Sequence, residues 1–341
     1  MRVDLSSATA LRVAGRDVAE LRVAGRRVWP RPDPLLTRLA GVGYAGSIYQ
    51  VTHGGAGRWQ YDTGGGWADF APAQTSGVLT TGLVQDGAAI SWLRDDGVRS
   101  NASPRLWVPY AMPGLAGVFD IRRVSSGATS WPAAAGGMSY TQPNAAIRPV
   151  YEPTGLAGRP CFFNAGDRVW IINGLPPAPA ERTLIGLFAF VATDPGNSLS
   201  QIYNSQAGAW GVVKSWINSG KRVLWITRTI GLNDAHGGDP AITDDAACIV
   251  SAKTKRPSGD HAFRVDGTPA GSGTSAVAAY VDNGGTYTMG GYIRLGSHAY
   301  VDAYMTLDDE TKFEGWCAWT QGFVDLLSPG HPNKTAPPLA S

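Results

Sequence analysis

Two stretches carry the residue types best suited to chemistry. Asn233-Asp234-Ala235-His236-Gly237-Gly238-Asp239-Pro240, followed by Asp244-Asp245, sets carboxylate, amide and imidazole groups among glycines. Oxygen ligands on a flexible loop of this kind suit a calcium ion, with Asp234 and Asp239 as its ligands. The spacing is not that of an EF-hand, and the same residue types are ordinary in an exposed turn. Tyr203-Asn204-Ser205-Gln206-Ala207-Gly208-Ala209-Trp210 is the second stretch and reads as a loop. A pyranose needs an aromatic plane for its C–H face and a few amides or carboxylates for its hydroxyls. Asn204, Gln206, Trp210, Asp234 and His236 are therefore the candidate carbohydrate-binding residues. Trp210 suits a rim or the core between sheets equally, and Trp216 suits the core slightly better. Trp170, Trp225, Trp316 and Trp319 lie in alternating or helical apolar patterns that read as core.

Covalent chemistry is less well provided for. Hydrolysis of a polysaccharide needs two carboxylates held across the sugar bond. The chain has five glutamates, Glu20, Glu152, Glu181, Glu310 and Glu314, and the last two are four apart on a predicted helix, the spacing of a solvated face. His53, His236, His261, His298 and His331 lie in dissimilar contexts, and no Gly-x-Ser-x-Gly elbow accompanies them. Glycine runs fall between strands without a following Lys-Ser or Lys-Thr, so no phosphate loop is expected. The expectation is a binding protein, not an enzyme, with no cofactor beyond the possible calcium.

The elements that must position these residues are short. In 341 residues there are 44 Gly and 23 Pro, with 16% charged and 10% aromatic residues, a composition of many strands and tight turns. The fold class expected is mainly β. Formal net charge is +2, but residues 1–31 hold seven arginines against Asp4, Asp17 and Glu20, which makes this segment +4. These arginines alternate with apolar residues and lack aromatic stacking partners before Trp29, which favours an acidic docking partner or water over nucleic acid. Cys161, Cys248 and Cys317 are far apart, two-residue redox spacing is absent, and reduced core thiols are expected. The longest apolar run, Leu184 to Ala192, is too short to span a membrane, and no leader pattern opens the chain. Synthesis in a bacterial cytoplasm is the expectation.

Residues 11–18 and 21–28 are Leu-Arg-Val-Ala-Gly-Arg-Asp-Val and Leu-Arg-Val-Ala-Gly-Arg-Arg-Val, a repeat that predicts a small β-meander. Such a ribbon cannot bury enough surface to stand alone. It ends at Trp29, and Pro30-Arg31-Pro32-Asp33-Pro34 makes a stiff spacer, so residues 1–34 form a first segment. The segment resembles the N-terminal repeats of bacteriophage tail and fibre proteins, which implies attachment to other virion proteins through residues 1–30. Residues 35–111 predict a β-sandwich with strands near 44–51, 57–61, 67–70, 78–83 and 89–94, anchored by Trp59 and Trp92. Gly57-Arg58-Trp59-Gln60-Tyr61, Gly66-Trp67 and Ile90-Ser91-Trp92-Leu93-Arg94-Asp95-Asp96-Gly97 resemble immunoglobulin-like modules of bacterial and phage surface proteins, which act as spacers.

Residues 112–341 predict at least eight strands, near 183–191, 200–203, 211–217, 222–228, 246–251, 261–265, 276–281 and 287–295, without βαβ alternation. This is a two-sheet jelly roll. Thr306 and Asp309 open one late helix, with Phe313, Trp316, Cys317, Thr320 and Phe323 on one stripe and an end near Ser328-Pro329-Gly330. Arg148-Pro149, Phe162-Phe163-Asn164, Glu314-Gly315-Trp316-Cys317-Ala318-Trp319 and Leu327-Ser328-Pro329-Gly330-His331-Pro332-Asn333-Lys334 resemble concanavalin A-like lectin/glucanase domains. The Glu-x-Asp-x-Glu strand motif of the hydrolases among them is absent. Together the resemblances imply a phage, prophage or gene-transfer particle protein that recognises host-surface glycan, most often as a trimer, on a particle outside the cell. A purely structural virion protein, such as a capsid decoration or tail part, is the alternative, and a capsule depolymerase the third reading.

Overall fold

A computed structural model describes residues 33–165, 168–175, 181–191, 242–255, 260–274 and 288–340 in full. It also describes the backbone of strands at 12–13, 16–17, 21–23, 26–29, 200–201, 204–205, 211–218, 221–229 and 232–236, and of residue 287. Met1–Val108 with Leu339–Ser341 form one compact unit, and Pro109–Pro338 form the other. Each repeat of the N-terminal segment closes into an antiparallel pair: β1 (Arg12–Val13) with β2 (Arg16–Asp17), and β3 (Leu21–Val23) with β4 (Arg26–Trp29).

The first unit continues with β5 (Leu35–Ala40), β6 (Ile48–Thr52), β7 (Gly57–Asp62), β8 (Ala68–Asp69), β9 (Val78–Thr80) and β10 (Ala89–Arg94). They make two antiparallel three-stranded sheets, in the orders β5-β6-β9 and β10-β7-β8. Period-2 alternation sends Leu36, Tyr49 and Leu79 from one sheet against Trp59, Ile90 and Trp92 from the other. Trp59 and Trp92 are cross-strand partners that meet edge to face at 5.3 Å. Their indole N–H groups donate to Ser76 O and Gly54 O, so the two largest side chains of this core leave no buried donor unmet. Packing of this kind replaces the disulfide that the sequence lacks.

The second unit holds β11 (Leu115–Phe119), β12 (Ser130–Pro132), β13 (Ala135–Gly136), β14 (Ser139–Thr141), β15 (Val150–Leu156), β16 (Arg159–Asn164), β17 (Trp170–Asn173) and β18 (Glu181–Phe190). β19 (Ser200–Gln201), β20 (Asn204–Ser205), β21 (Gly211–Asn218), β22 (Lys221–Thr229) and β23 (Leu232–His236) follow. β24 (Ala247–Lys255), β25 (Asp260–Val265), β26 (Thr268–Thr274), β27 (Tyr287–Met289) and β28 (Ile293–Val301) complete the strands. A nine-stranded antiparallel sheet runs β13-β11-β28-β18-β24-β25-β26, with β16 and then β15 joined through β28. It faces a five-stranded sheet, β12-β14-β17-β27-β20, across a core that includes Phe119, Trp131, Tyr140, Phe162, Trp170 and Phe188. A four-stranded sheet, β19-β21-β22-β23, completes the unit. The chain is thus mainly β, built of layered antiparallel sheets with one late helix.

Two details depart from the sequence expectations. The run from Tyr287 to Leu295 is two strands in different sheets, β27 and β28, because Gly290-Gly291 interrupts it and Gly291 takes φ +92°. The helix, α1 (Leu307–Gln321), stops well before Ser328. Gly322 ends it in the left-handed region at φ +76°, and Phe323 N–H donates back to Ala318 O. Its start agrees with expectation: Thr306 Oγ1 accepts from Asp309 N–H at 3.1 Å. α1 packs on β18 and β24, so β18 is covered by the helix on one face and by the aromatic core on the other. That double burial accounts for its unbroken apolar run. The expected strand at 276–281 lies outside the described residues.

Candidate functional site

The candidate carbohydrate residues whose backbone is described fall on the last strands of two different sheets. Asn204 lies on β20, the last strand of the five-stranded sheet, opposite Thr288. Asp234 and His236 lie on β23, the last strand of the four-stranded sheet. β20 runs beside β21, which pairs with β22, which pairs with β23, so two strands stand between Asn204 and the pair Asp234 and His236. Residues 232–236 form a strand and not the loop expected from their glycine-rich neighbourhood. Their register with β22 steps from Ala235 opposite Ile226 to Asn233 opposite Thr227, which makes Asp234 the extra residue of a bulge. Gln206, Trp210 and Asp239 lie outside the described residues, as do the side chains of Asn204, Asp234 and His236. No group of three His, Cys, Asp or Glu side chains that could hold a metal occurs among the described residues.

Inside the sandwich, an imidazole sits among aromatic rings. His298 Nδ1 donates to Gly296 O at 2.9 Å, Nε2 accepts from Tyr140 Oη at 2.7 Å, and Tyr300 Oη lies 3.2 Å from Tyr140 Oη. All three side chains are fully buried. Burial pushes the His298 pKa down to about 4, opposed only in part by its hydrogen bond with Gly296 O. Gly186 makes the room, because a Cβ there would collide with the His298 side chain. A neutral imidazole sealed from water cannot exchange protons with a substrate, so this trio is part of the core.

Glu310 and Glu314, expected on a solvated helix face, are both buried. The helix turns this face to the nine-stranded sheet, and the sheet supplies the cations. Lys253 Nζ on β24 lies 2.6 Å from Glu310 Oε2, while Ser251 Oγ donates to Glu310 Oε1. Arg264 on β25 donates to both oxygens of Glu314, from Nε at 2.9 Å and Nη2 at 3.1 Å. Burial pulls the Arg264 pKa down, and the Glu314 hydrogen bond and charge more than offset it, for a net upward shift. His331 adds a third hydrogen bond to Glu314. Its Nδ1 accepts from Asn333 N–H, so Nε2 carries the proton that faces Glu314 Oε2 at 3.0 Å. Asn333 Nδ2 then donates to Thr311 O, and Trp319 Nε1 donates to Asn333 O.

This network uses Glu314, Trp319, His331 and Asn333, residues of the segment that resembles the lectin/glucanase domains. Their work is to lock the helix and the following segment onto the back of the sheet, which is a fold role. Lys253 and Arg264 were not singled out in the sequence. The signal was present, because Lys253 directly follows the run Ala247 to Ala252 and Arg264 stands between Phe263 and Val265, and a cation drawn into such a strand requires a buried anion.

No family model matches the chain, and no curated protein matches its sequence. Among solved structures, it has a distant likeness to the binding domain of Paraclostridial Mosquitocidal Protein 1, at 10% identity and a TM-score of 0.45, over 60% of this chain and 52% of that one. The binding domain of botulinum neurotoxin serotype D gives 9% and 0.43 over 60% and 51%. Trypanosoma rangeli sialidase gives 10% and 0.42 over 84% and 53%. The chain spans about half the length of each, and likeness at this level carries no assignment of ligand or activity.

Proposed function

We propose that the protein is a non-catalytic adhesion protein that recognises host-surface polysaccharide through the β20–β23 region of its second unit. The basic N-terminal repeat attaches it to a phage, prophage or gene-transfer particle. One observation supports the non-catalytic part of this reading. Glu152, Glu181, Glu310 and Glu314 are each ion-paired, with Arg294, Lys255, Lys253 and Arg264, and Glu310 and Glu314 are buried, which supports a fold role for them. The carbohydrate part rests on residue types, with Asn204 on β20 and Asp234 and His236 on β23, each the last strand of its sheet, and Gln206 and Trp210 following Asn204 closely in sequence. Weak single-site contacts gain strength when several copies are held together, which suits a trimer on a particle.

The test is binding of the full chain to encapsulated cells and to isogenic cells without capsule, repeated with Trp210→Ala. Capsule-dependent binding that weakens about tenfold in the variant is expected, the loss of one stacked ring. Equal binding to both cell types overturns the capsule receptor. Release of reducing ends from purified capsule replaces adhesion by depolymerase activity.

A further inference from the structure

The outer side of the β5-β6-β9 sheet in the first unit is an uncovered apolar surface. Leu36, Tyr49 and Leu79 enter the core, so alternation turns Leu35 and Thr37 of β5, Ile48, Gln50 and Thr52 of β6, and Val78 and Thr80 of β9 outward. Register aligns the face in three rows, Leu35-Thr52, Thr37-Gln50-Val78 and Ala40-Ile48-Thr80. None of these residues is charged, whereas the companion sheet of the same sandwich carries the solvent-exposed Arg58–Asp69 ion pair. Leu35 and Val78 are 53% and 46% exposed, and Leu39, the extra residue of a bulge in β5, is 54% exposed. Three of the seven large apolar side chains exposed among the described residues thus belong to one three-stranded sheet. Clustering of this kind, unlike a lone exposed leucine, marks a surface that something covers.

The edge of β5 is already closed. Asn101 Oδ1 accepts from Leu36 N–H at 2.8 Å, and Asn101 Nδ2 donates to Leu36 O at 3.3 Å. The occupant therefore lies across the face and does not add a strand. At about 4.8 Å between strands and about 3.4 Å per residue, the face measures on the order of 250 Å² in projection. That is far short of the roughly 800 Å² that each partner of a stable dimer buries. A segment tethered to the same chain needs less area, because its docking costs little translational freedom. The N-terminal ribbon is such a segment, and its side chains lie outside the described residues. It leads directly into β5, and residues 30–34 span about 15 Å at roughly 3.1 Å per residue, enough for the step of about 10 Å from one sheet layer to the next. Register in its second repeat sets Leu21 opposite Trp29 and Arg22 opposite Arg27, an apolar row beside a cationic one. Two-stranded ribbons this short are marginal alone, so the ribbon and the sheet face each lack what the other offers.

We propose that residues 11–29 dock across the outer face of β5-β6-β9, with the Leu21–Trp29 row against the sheet and the Arg22–Arg27 row turned away from it. The basic segment is then a third layer on the sandwich that presents a preformed cationic surface. Docking is a property of the first unit and holds whatever the second unit binds.

An arginine-specific protease tests it on the full chain, because cleavage after Arg12, Arg16, Arg22, Arg26 and Arg27 requires local opening. Cleavage within residues 11–29 should be at least about tenfold slower than in a synthetic peptide of residues 1–32. Val78→Lys and Thr37→Lys, in one row of the face, should each accelerate it about tenfold toward the peptide's rate. Leu307→Lys, on a leucine 59% exposed in the second unit, should leave the rate unchanged. Unchanged hydrogen exchange in β7 and β10 shows that the sandwich stays folded in the variants. Val78→Lys combined with Trp29→Ser should be no faster than either alone, since both remove one contact. Cleavage of the parent at the peptide's rate, or equal rates in the parent, Val78→Lys and Thr37→Lys, overturns the proposal. Loss of an oligomer on sedimentation of Val78→Lys, without faster cleavage, gives the face to a second copy and overturns it too.

Discussion

At the scale of the residue, the second unit depends on buried charges that are costly to separate. Glu314→Gln leaves Arg264 without its anion, and breaking a buried pair costs about 3–5 kcal/mol. The urea midpoint should fall accordingly, and the double change Glu314→Leu with Arg264→Met should recover most of the loss. Two further groups make opposed contributions to acid stability. His298 titrates near 4 when folded against 6.5 when free, so the unfolded chain takes up the proton first and stability is lost as pH falls from 6.5 toward 4. Asp266 has its pKa raised by burial from 3.8 to about 6, so its contribution is present at low pH and is lost as pH rises through that range. Each is worth about 3 kcal/mol at most. Asp266→Asn should therefore steepen the loss on acidification from pH 6.5 to 4.5, and His298→Gln should flatten it. Urea midpoints at both pH values check this, and parallel pH curves in all three proteins contradict it.

At the scale of the element, α1 is defined by its ends more than by its stripe. Thr306→Ala removes the side-chain acceptor for Asp309 N–H and should cost about 1 kcal/mol. Gly322→Ala should cost more, because an L residue is strained at φ +76° and its Cβ would also meet the Arg159 guanidinium. Thermal unfolding of the two variants ranks them. The start of the helix was legible because Thr306 and Asp309 announce it within one turn. Its end was missed because a proline and glycine at Pro329-Gly330 stop a helix as plainly as Gly322 does, and only packing showed which came first. The same holds for β23: glycines at 237 and 238 suggested a loop, while pairing with β22 holds 232–236 in a strand.

At the scale of the whole molecule, the two units have separate cores, one around Trp59 and Trp92 and the other around Trp131, Trp170 and Phe188. Local stability follows local packing. Hydrogen exchange in Glu314→Gln should accelerate in β24, β25 and α1 and remain unchanged in β7 and β10. Faster exchange in all of them would show that the units unfold as one. No described helix is long and apolar enough to cross a membrane.

Periodicity, turn residues and composition by themselves determined that this chain is layered antiparallel β with one late helix, since alternation and glycine placement act between near neighbours. They also placed Trp59, Trp92 and the three cysteines inside. Tertiary structure alone decided the fate of the charges. Glu310 and Glu314 have the spacing of a wet helix face, and their burial follows from Lys253 and Arg264, which stand some fifty residues earlier in the chain. It alone, too, brought Gln60 beside Asp69 and Arg99 beside Trp67, because register between strands joins residues that no local pattern connects.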